Sequence, residues 1–132
     1  MKRVVLDASA LMTFFLGRSG AERMKEILAA AAEGKRELSM SVVNWGEVYY
    51  SIWRADGREA AERKRTEIAQ LPIHVVNADS GLTGLAAEIH VQCKLPYADC
   101  FAAALAKHLN AGLVTSDRDF QAVGREISVE FL

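Results

Sequence analysis

Four carboxylates in this sequence stand where an acid is hard to explain as ordinary surface charge. Asp7 comes directly after the apolar run Val4-Val5-Leu6, and Asp117 follows Leu113-Val114-Thr115-Ser116, with Asp119 close behind it. Asp99 falls in the first turn of a stretch, Ala98–Leu109, that is otherwise mostly apolar or small. Glu47 sits among Val43, Trp45 and Tyr50. An acid in apolar surroundings is costly unless it is paired, hydrogen-bonded or bound to a cation. The other acids, such as Glu22, Glu26, Glu59, Glu62 and Glu67, are interleaved with Lys and Arg and read as solvated helix faces.

Each of the four has an ordinary explanation of its own. Asp7 can cap a helix starting at Ala8, and Asp117 can cap the turn after its strand. Asp99 is favoured in a first turn by the helix dipole. Glu47 can be a surface residue beside a packed stripe, and Ser9 and Thr115 can be turn or cap hydroxyls. Convergence weakens these readings, because strand ends and helix starts at one sheet edge can bring Asp7, Asp99 and Asp117 together. Carboxylates packed that closely repel, and a hard divalent cation is the usual remedy. Oxygen-only ligands favour Mg²⁺ or Mn²⁺ over zinc.

Other chemistries lack their parts. His74, His90 and His108 lie on separate predicted elements. Cys93 and Cys100 show neither a disulfide framework nor a zinc spacing, and both read as small buried residues of a reducing compartment. There is no phosphate-cradling GxxxxGK[ST] loop and no GxGxxG after a strand.

The elements that must position the acids follow from hydrophobic periodicity. Strands are predicted at Val4–Leu6, Glu37–Met40, Ile73–Val76, Leu113–Thr115 and Ile127–Leu132. Helices are predicted at Ala8–Phe15, Ala21–Ala32, Val42–Ala55, Arg58–Leu71, from Asp79 or Ser80 to about Val91, and at Ala98–Leu109. Strands separated by helical stretches imply a mostly parallel sheet with helices on both faces. Trp45, Tyr49 and Trp53 recur at helical spacing, which points to core or a subunit interface before base stacking.

The 132 residues imply one domain, spanning 1–132, large enough to bury its own core. Hydrophobic residues are 51% and charged residues 25%, the composition of a globular protein. A formal net charge of −1 excludes gripping nucleic acid by bulk positive charge, but not a nuclease with a basic rim around an acidic centre. Arg118, Lys94, Lys107, Arg54 and Arg58 are available for such a rim. The Arg63-Lys64-Arg65 run reads first as a solvated helix face. No run reaches the ~18 apolar residues of a membrane span. An acid as early as Asp7 does not suit a secretory leader, so a cytoplasmic location is expected.

Four stretches together carry a resemblance: Val5-Leu6-Asp7-Ala8-Ser9-Ala10; Asn44-Trp45-Gly46-Glu47-Val48; Tyr97-Ala98-Asp99-Cys100-Phe101-Ala102-Ala103-Ala104-Leu105-Ala106; and Leu113-Val114-Thr115-Ser116-Asp117-Arg118-Asp119-Phe120. In this order and at these separations the chain resembles the PIN-domain ribonucleases, and among them the VapC-type toxins of toxin–antitoxin pairs. The resemblance implies a three-layer α/β/α fold around a mostly parallel central sheet of about five strands. It implies that Asp7, Glu47, Asp99 and Asp117 line a catalytic acidic pocket. Asp7 and Asp99 would be the firmest metal contacts, and Asp117 a third. Asp119 looks like an additional acid, and Thr115 and Ser9 like hydroxyls that orient the acids. The implied activity is Mg²⁺- or Mn²⁺-dependent hydrolysis of RNA. The implied partners are a second copy of the chain and a small VapB-type antitoxin.

Three alternatives stand beside this. A haloacid-dehalogenase-like phosphatase also places an Asp after its first strand, but needs a second acid two residues on, where this chain has Ser9. A receiver domain needs acids before that Asp and a Lys after a late strand, and neither is found. A PIN-like module that binds RNA or protein without catalysis is opposed by the intact acids.

Overall fold

The computed structural model of the chain describes residues 2–132. Its five strands are β1 (Lys2–Leu6), β2 (Arg36–Ser41), β3 (Ile73–Val76), β4 (Gly112–Thr115) and β5 (Val129–Phe131). They form one sheet in the order β3-β2-β1-β4-β5, and every pairing is parallel. The six helices are α1 (Ala8–Leu16), α2 (Ala21–Ala32), α3 (Val42–Asp56), α4 (Arg58–Gln70), α5 (Ser80–Cys93) and α6 (Tyr97–Leu109). A 3₁₀ helix, Arg118–Val123, joins β4 to β5. The expected α/β fold around a five-stranded parallel sheet is therefore present.

Period-two alternation divides the strands between two cores. On one face Val4, Leu6, Leu38, Met40 and Val114 pack with residues of α1, α2, α3 and α4. On the other, Val5 and Leu113 pack with α5, α6 and the 3₁₀ helix. The helices are thus layered on both sides of a sheet whose central strand, β1, is buried from Val4 to Leu6.

Strand order places the site. β1 has β2 on one side and β4 on the other, so the chain changes direction across the sheet between β1 and β4. A crevice at the carboxyl ends of such strands is where α/β sheets bind ligands. Asp7 leaves the end of β1, and Ser116-Asp117 leave the end of β4.

α6 lies closest to this crevice. Cys100 through Ala106 are all buried, an unbroken run that only a helix covered on most sides can bury. Cys100, Ala102, Ala103, Ala104 and Ala106 are small, which lets the backbone lie close to its neighbours. Asp99, in the first turn, is carried to the same edge as the ends of β1 and β4.

Element bounds differ from the sequence reading by one or two residues, and one element was not expected. The last strand is Val129–Phe131 rather than Ile127–Leu132, and the 3₁₀ helix was not anticipated. Pattern alone misses a two-turn element of this kind, because its anchors, Phe120 and Val123, show only one repeat. Among the described residues no helix is long and apolar enough to cross a membrane.

Phe120 is fully buried and holds the segment that presents Asp117 and Asp119. Phe120→Ala should cost about 3–5 kcal/mol in urea denaturation. A loss below about 1 kcal/mol would mean that this segment is not anchored by the core.

Candidate active site

The site begins with a carboxylate placed by backbone geometry. β1 ends at Leu6, and Asp7, extended at φ −87° and ψ 178°, caps α1 by accepting from Ala10 N. Asp7 is only 3% exposed, so its charge depends on donors. Its Oδ1 accepts from Ala10 N at 2.9 Å and Ser9 Oγ at 2.8 Å. Its Oδ2 accepts from Thr115 Oγ1 at 2.6 Å and lies 2.9 Å from Ser9 Oγ.

Each hydroxyl is itself held by β4's exit. Ser116 N donates to Ser9 Oγ at 3.0 Å, and Asp117 N donates to Thr115 Oγ1 at 2.9 Å. Two relays therefore run from backbone amides through a hydroxyl to one carboxylate. Each hydroxyl spends its single proton on Asp7. The 3.0 Å approach of Ser9 Oγ to Thr115 Oγ1 follows from both converging on the same group. A carboxylate has about four lone-pair sites, and three donors leave Asp7 about one for any further ligand.

Burial raises Asp7 to about 6, although the bonds from Thr115, Ala10 and Ser9 pull the other way; the charge of Asp117 adds to the rise. Asp99 is pushed further, to about 7, first by burial and then by the charges of Asp117, Glu47, Asp7 and Asp119. The geometry agrees: Thr115 Oγ1 links Asp7 to the Asp117 amide, and Asn44 links Glu47 to the Ala98 carbonyl next to Asp99. Glu47, on α3, is half-buried. Asp117 caps the 3₁₀ helix, accepting from Asp119 N at 2.9 Å, and Asp119 is exposed at the rim. Asp7 and Asp117 are thus caps and members of the cluster at once, so the two readings of each were compatible.

One residue of the site escaped the sequence reading as a participant. Asn44, fully buried one helical turn before Glu47, donates from Nδ2 to Glu47 Oε1 at 2.9 Å and to the Ala98 carbonyl at 3.0 Å. Both partners are acceptors, which fixes the amide orientation. Asn44 ties α3 to the start of α6 and steadies Glu47 against Asp99, while its Oδ1 is buried without a partner. The i, i+3 spacing from Asn44 to Glu47 was the available signal.

The histidines and cysteines stay outside the chemistry. His90 Nδ1 lies 2.6 Å from the Leu95 carbonyl, closing the turn before α6. Cys100 is buried, and burial, with the charges of Asp99 and Cys93 adding to it, pushes its thiol up to about 11. Cys93 is half-buried rather than buried, and both thiols are free. Large cavities of about 300 and 500 Å³ lie toward the amino ends of the strands, around Arg3, Arg36 and His74, and contain none of the four acids.

Among the described residues, no three His, Cys, Asp or Glu side chains close on one point as a finished metal cage. The acids instead present an all-oxygen, strongly negative donor set, with one open lone pair on Asp7 and a protonation-prone Asp99. That chemistry suits a hard dication that keeps most of its water and meets one or two carboxylates.

The raised carboxyls set a stability signature for the metal-free protein. Asp7 and Asp99 hold protons in the folded state at pH values where the unfolded chain, near 4, has released them. Folded stability therefore falls as pH rises from about 4 to about 7. Glu130 is lowered by its hydrogen bonds to Arg23, so its opposite effect is confined to more acidic pH. Thermal melting in EDTA should occur at lower temperature at pH 8 than at pH 5.5, and Asp99→Asn should shrink that gap. An equal gap in the variant would show that Asp99 is not the strained acid.

The PIN domain family profile matches residues 4–126 of the chain. No curated protein matches it at the sequence level. Among solved structures, VapBC2 from Rickettsia felis, bound to a DNA fragment from its promoter, superposes with a TM-score of 0.80 at 15% identity, covering 98% of both chains. VapC20 from Mycobacterium tuberculosis, described as a Sarcin-Ricin loop cleaving toxin, gives 0.74 at 19% identity, covering 94% of this chain and 98% of the other. DNA-bound VapBC from Salmonella typhimurium gives 0.74 at 17% identity, covering 98% of each. At these identities the structures share the fold, and the profile, spanning nearly the whole chain, fixes the family: the chain belongs to the PIN-domain family.

Proposed function

We propose that this PIN domain is a Mg²⁺- or Mn²⁺-dependent endoribonuclease and the toxin of a VapBC-type toxin–antitoxin pair. The observation that carries the reading is the arrangement of Asp7, Glu47, Asp99 and Asp117 around the carboxyl edge of the sheet, Asp7 and Asp117 linked through Thr115 and Glu47 linked through Asn44 to the start of the helix that carries Asp99. The M. tuberculosis neighbour, described as cleaving the Sarcin-Ricin loop, and neighbours that are VapBC complexes support it.

Asp99 and Asp7 would hold the cation, with Asp117 as a third contact. Once bound, it acidifies a water and offsets charge developing on the phosphate. Ser9 and Thr115 fix the Asp7 carboxylate so that its remaining lone pair keeps one direction. Glu47, steadied by Asn44, is placed to orient the attacking water and take its proton, a task Asp117 can share. The new bond joins the water oxygen to phosphorus, and the bond from phosphorus to the 3′ oxygen breaks. The departing oxygen gains a proton, so the products carry a 5′-phosphate and a 3′-hydroxyl. Asp119, at the rim, adds negative potential to the same centre.

The partners follow from the same reading: a small VapB-type antitoxin and a second copy of the chain. Trp53 is 42% exposed, and Tyr49 and Trp45 continue its stripe along α3. Trp45 and Tyr49 are partly buried against the core, and Trp53 is the exposed end of the stripe. The stripe packs against α4, with Arg58 over Trp53 and Arg65 over Trp45, and leaves apolar edges open.

Two experiments test the proposal. Cleavage of RNA should stop in EDTA and return with Mg²⁺ or Mn²⁺. Asp7→Asn and Asp99→Asn should each lower cleavage at least about 100-fold, as losses of ligand charge do; unchanged cleavage in either would sink the assignment. Trp53→Ala should weaken self-association or antitoxin binding while leaving Mn²⁺ affinity alone. Equal losses in both would make Trp53 a packing residue of the site.

A further inference from the structure

Among the described residues four arginines are in no ion pair and lie over aromatic rings; Arg58 and Arg65, on α4, cover Trp53 and Trp45, and the other two, Arg54 and Arg118, lie elsewhere. Arg3, Arg23, Lys25, Lys35, Lys64 and Lys107 are each in an ion pair with a glutamate. Arg54 and Arg118 are in none among the described residues, although Arg118 follows Asp117 and precedes Asp119. Each is instead laid over an aromatic ring: Arg54 Cζ stands 4.9 Å from the Tyr50 centroid, and Arg118 Cζ 4.7 Å from that of Phe131. Stacking holds a guanidinium in place without consuming its donors, which stay available to phosphate.

Both stacks border the acidic site. Glu47, Tyr50 and Arg54 fall at i, i+3 and i+7 on α3, one face of the helix. That face starts at Glu47 and continues along the helix for about 10 Å to Arg54. Tyr50 is 46% exposed. The Trp45, Tyr49 and Trp53 stripe lies on a different face of α3, against α4, and is separate from this one. On the other side, Phe131 is the register partner of Thr115 in the β4–β5 pairing, and Thr115 holds Asp7. Because α3 departs from β2 and Arg118 from β4, the two stacks flank β1 and its acid from opposite sides of the sheet order.

We infer that Tyr50–Arg54 and Arg118–Phe131 form a two-armed seat for a single-stranded RNA segment whose scissile phosphate lies over the acids. This rests on the ribonuclease reading and adds the residues that hold the substrate. The flanking phosphates bind the two arginines, and a base stacks on the open ring of Tyr50. The arrangement answers the charge problem of the site, since an acidic centre repels the strand it must cut and two fixed cations beside it recover the attraction locally. A single strand is the fitting occupant because an aromatic platform requires an unstacked base.

The test is fluorescence anisotropy of a labelled single-stranded oligoribonucleotide over a range of salt, using the full Asp99→Asn chain with and without the additional substitutions. Tyr50→Ala should weaken binding about tenfold, the effect of one lost base stack. Arg54→Ala and Arg118→Ala should each lower the log–log salt slope by about 0.7, the value of one phosphate contact on a single strand. Arg54→Lys should keep the slope and still lose affinity, because an ammonium does not lie flat on the ring. Unchanged affinity and slope in all three alanine variants, with RNA still bound, would overturn the seat and leave the nuclease site standing. A change in oligomeric size by gel filtration with RNA affinity unchanged would overturn it in favour of a protein contact. A parallel loss of Mn²⁺ affinity when these changes are placed in the unsubstituted chain would also overturn it, making the pairs scaffold for the acids. If neither the Asp99→Asn chain nor the unsubstituted chain binds any RNA, the ribonuclease reading falls first and the seat with it.

Discussion

The rest of this structure depends on carboxylates that are both buried and brought near one another at one edge of a parallel sheet. Burial and mutual charge push Asp99 to about 7 and Asp7 to about 6, so each ionised acid works against the folded state at neutral pH. A difference of about two units is worth on the order of 3 kcal/mol for a buried group such as Asp7, a large part of a small domain's stability. The two cores that sandwich β1 carry that load. The donors on Asp7 limit it, since Ala10 N and two hydroxyls, themselves fed by the amides of Ser116 and Asp117, stand where water would otherwise be.

The same constraint explains why the helix beside the site is built from small residues. Asp99 reaches the edge only because α6 lies close to its neighbours along its whole buried run, Cys100 to Ala106. Larger residues there would push the helix outward and carry Asp99 from Asp7. α3 meets α6 through one polar tie, the Asn44 amide shared between Glu47 and the Ala98 carbonyl. Elements from β1, β2's exit, β4's exit and α6 are thus fixed to one another at the place where their charges most oppose it.

What could be read from the sequence follows the range over which each signal acts. Short apolar runs ending in an acid gave β1 with Asp7 and β4 with Asp117, and the 3.6-residue period gave six helices with most ends within two residues. Their convergence at one edge followed from parallel topology. The 3₁₀ helix after Asp117 is too short to have a period. Asn44 in a helix reads only as a polar residue, until the fold shows that Ala98, far along the chain, needs its donor. The stacks of Arg54 and Arg118 were legible only as available positive charge, because pairing or freedom of a cation depends on which rings and acids the fold brings near. Trp45, Tyr49 and Trp53 showed their helical spacing but not that Trp45 and Tyr49 would pack against the core while arginines of α4 cover Trp53 and Trp45.

Asp7 and Asp99 differ in a way that assigns them different parts under the proposed chemistry. Asp7 is fixed, donor-filled and nearly enclosed, so it offers about one lone pair in one direction. Asp99 is less enclosed and is the more strained of the two, because burial and then the charges of four other acids raise it. Under the proposed chemistry a cation would be positioned chiefly by Asp7, while its charge would offset both the burial and the repulsion that raise Asp99. Two equivalent ligands would not divide the work in this way. Under that chemistry, a centre where burial and mutual charge both penalise ionisation would gain stability from the dication that enters it.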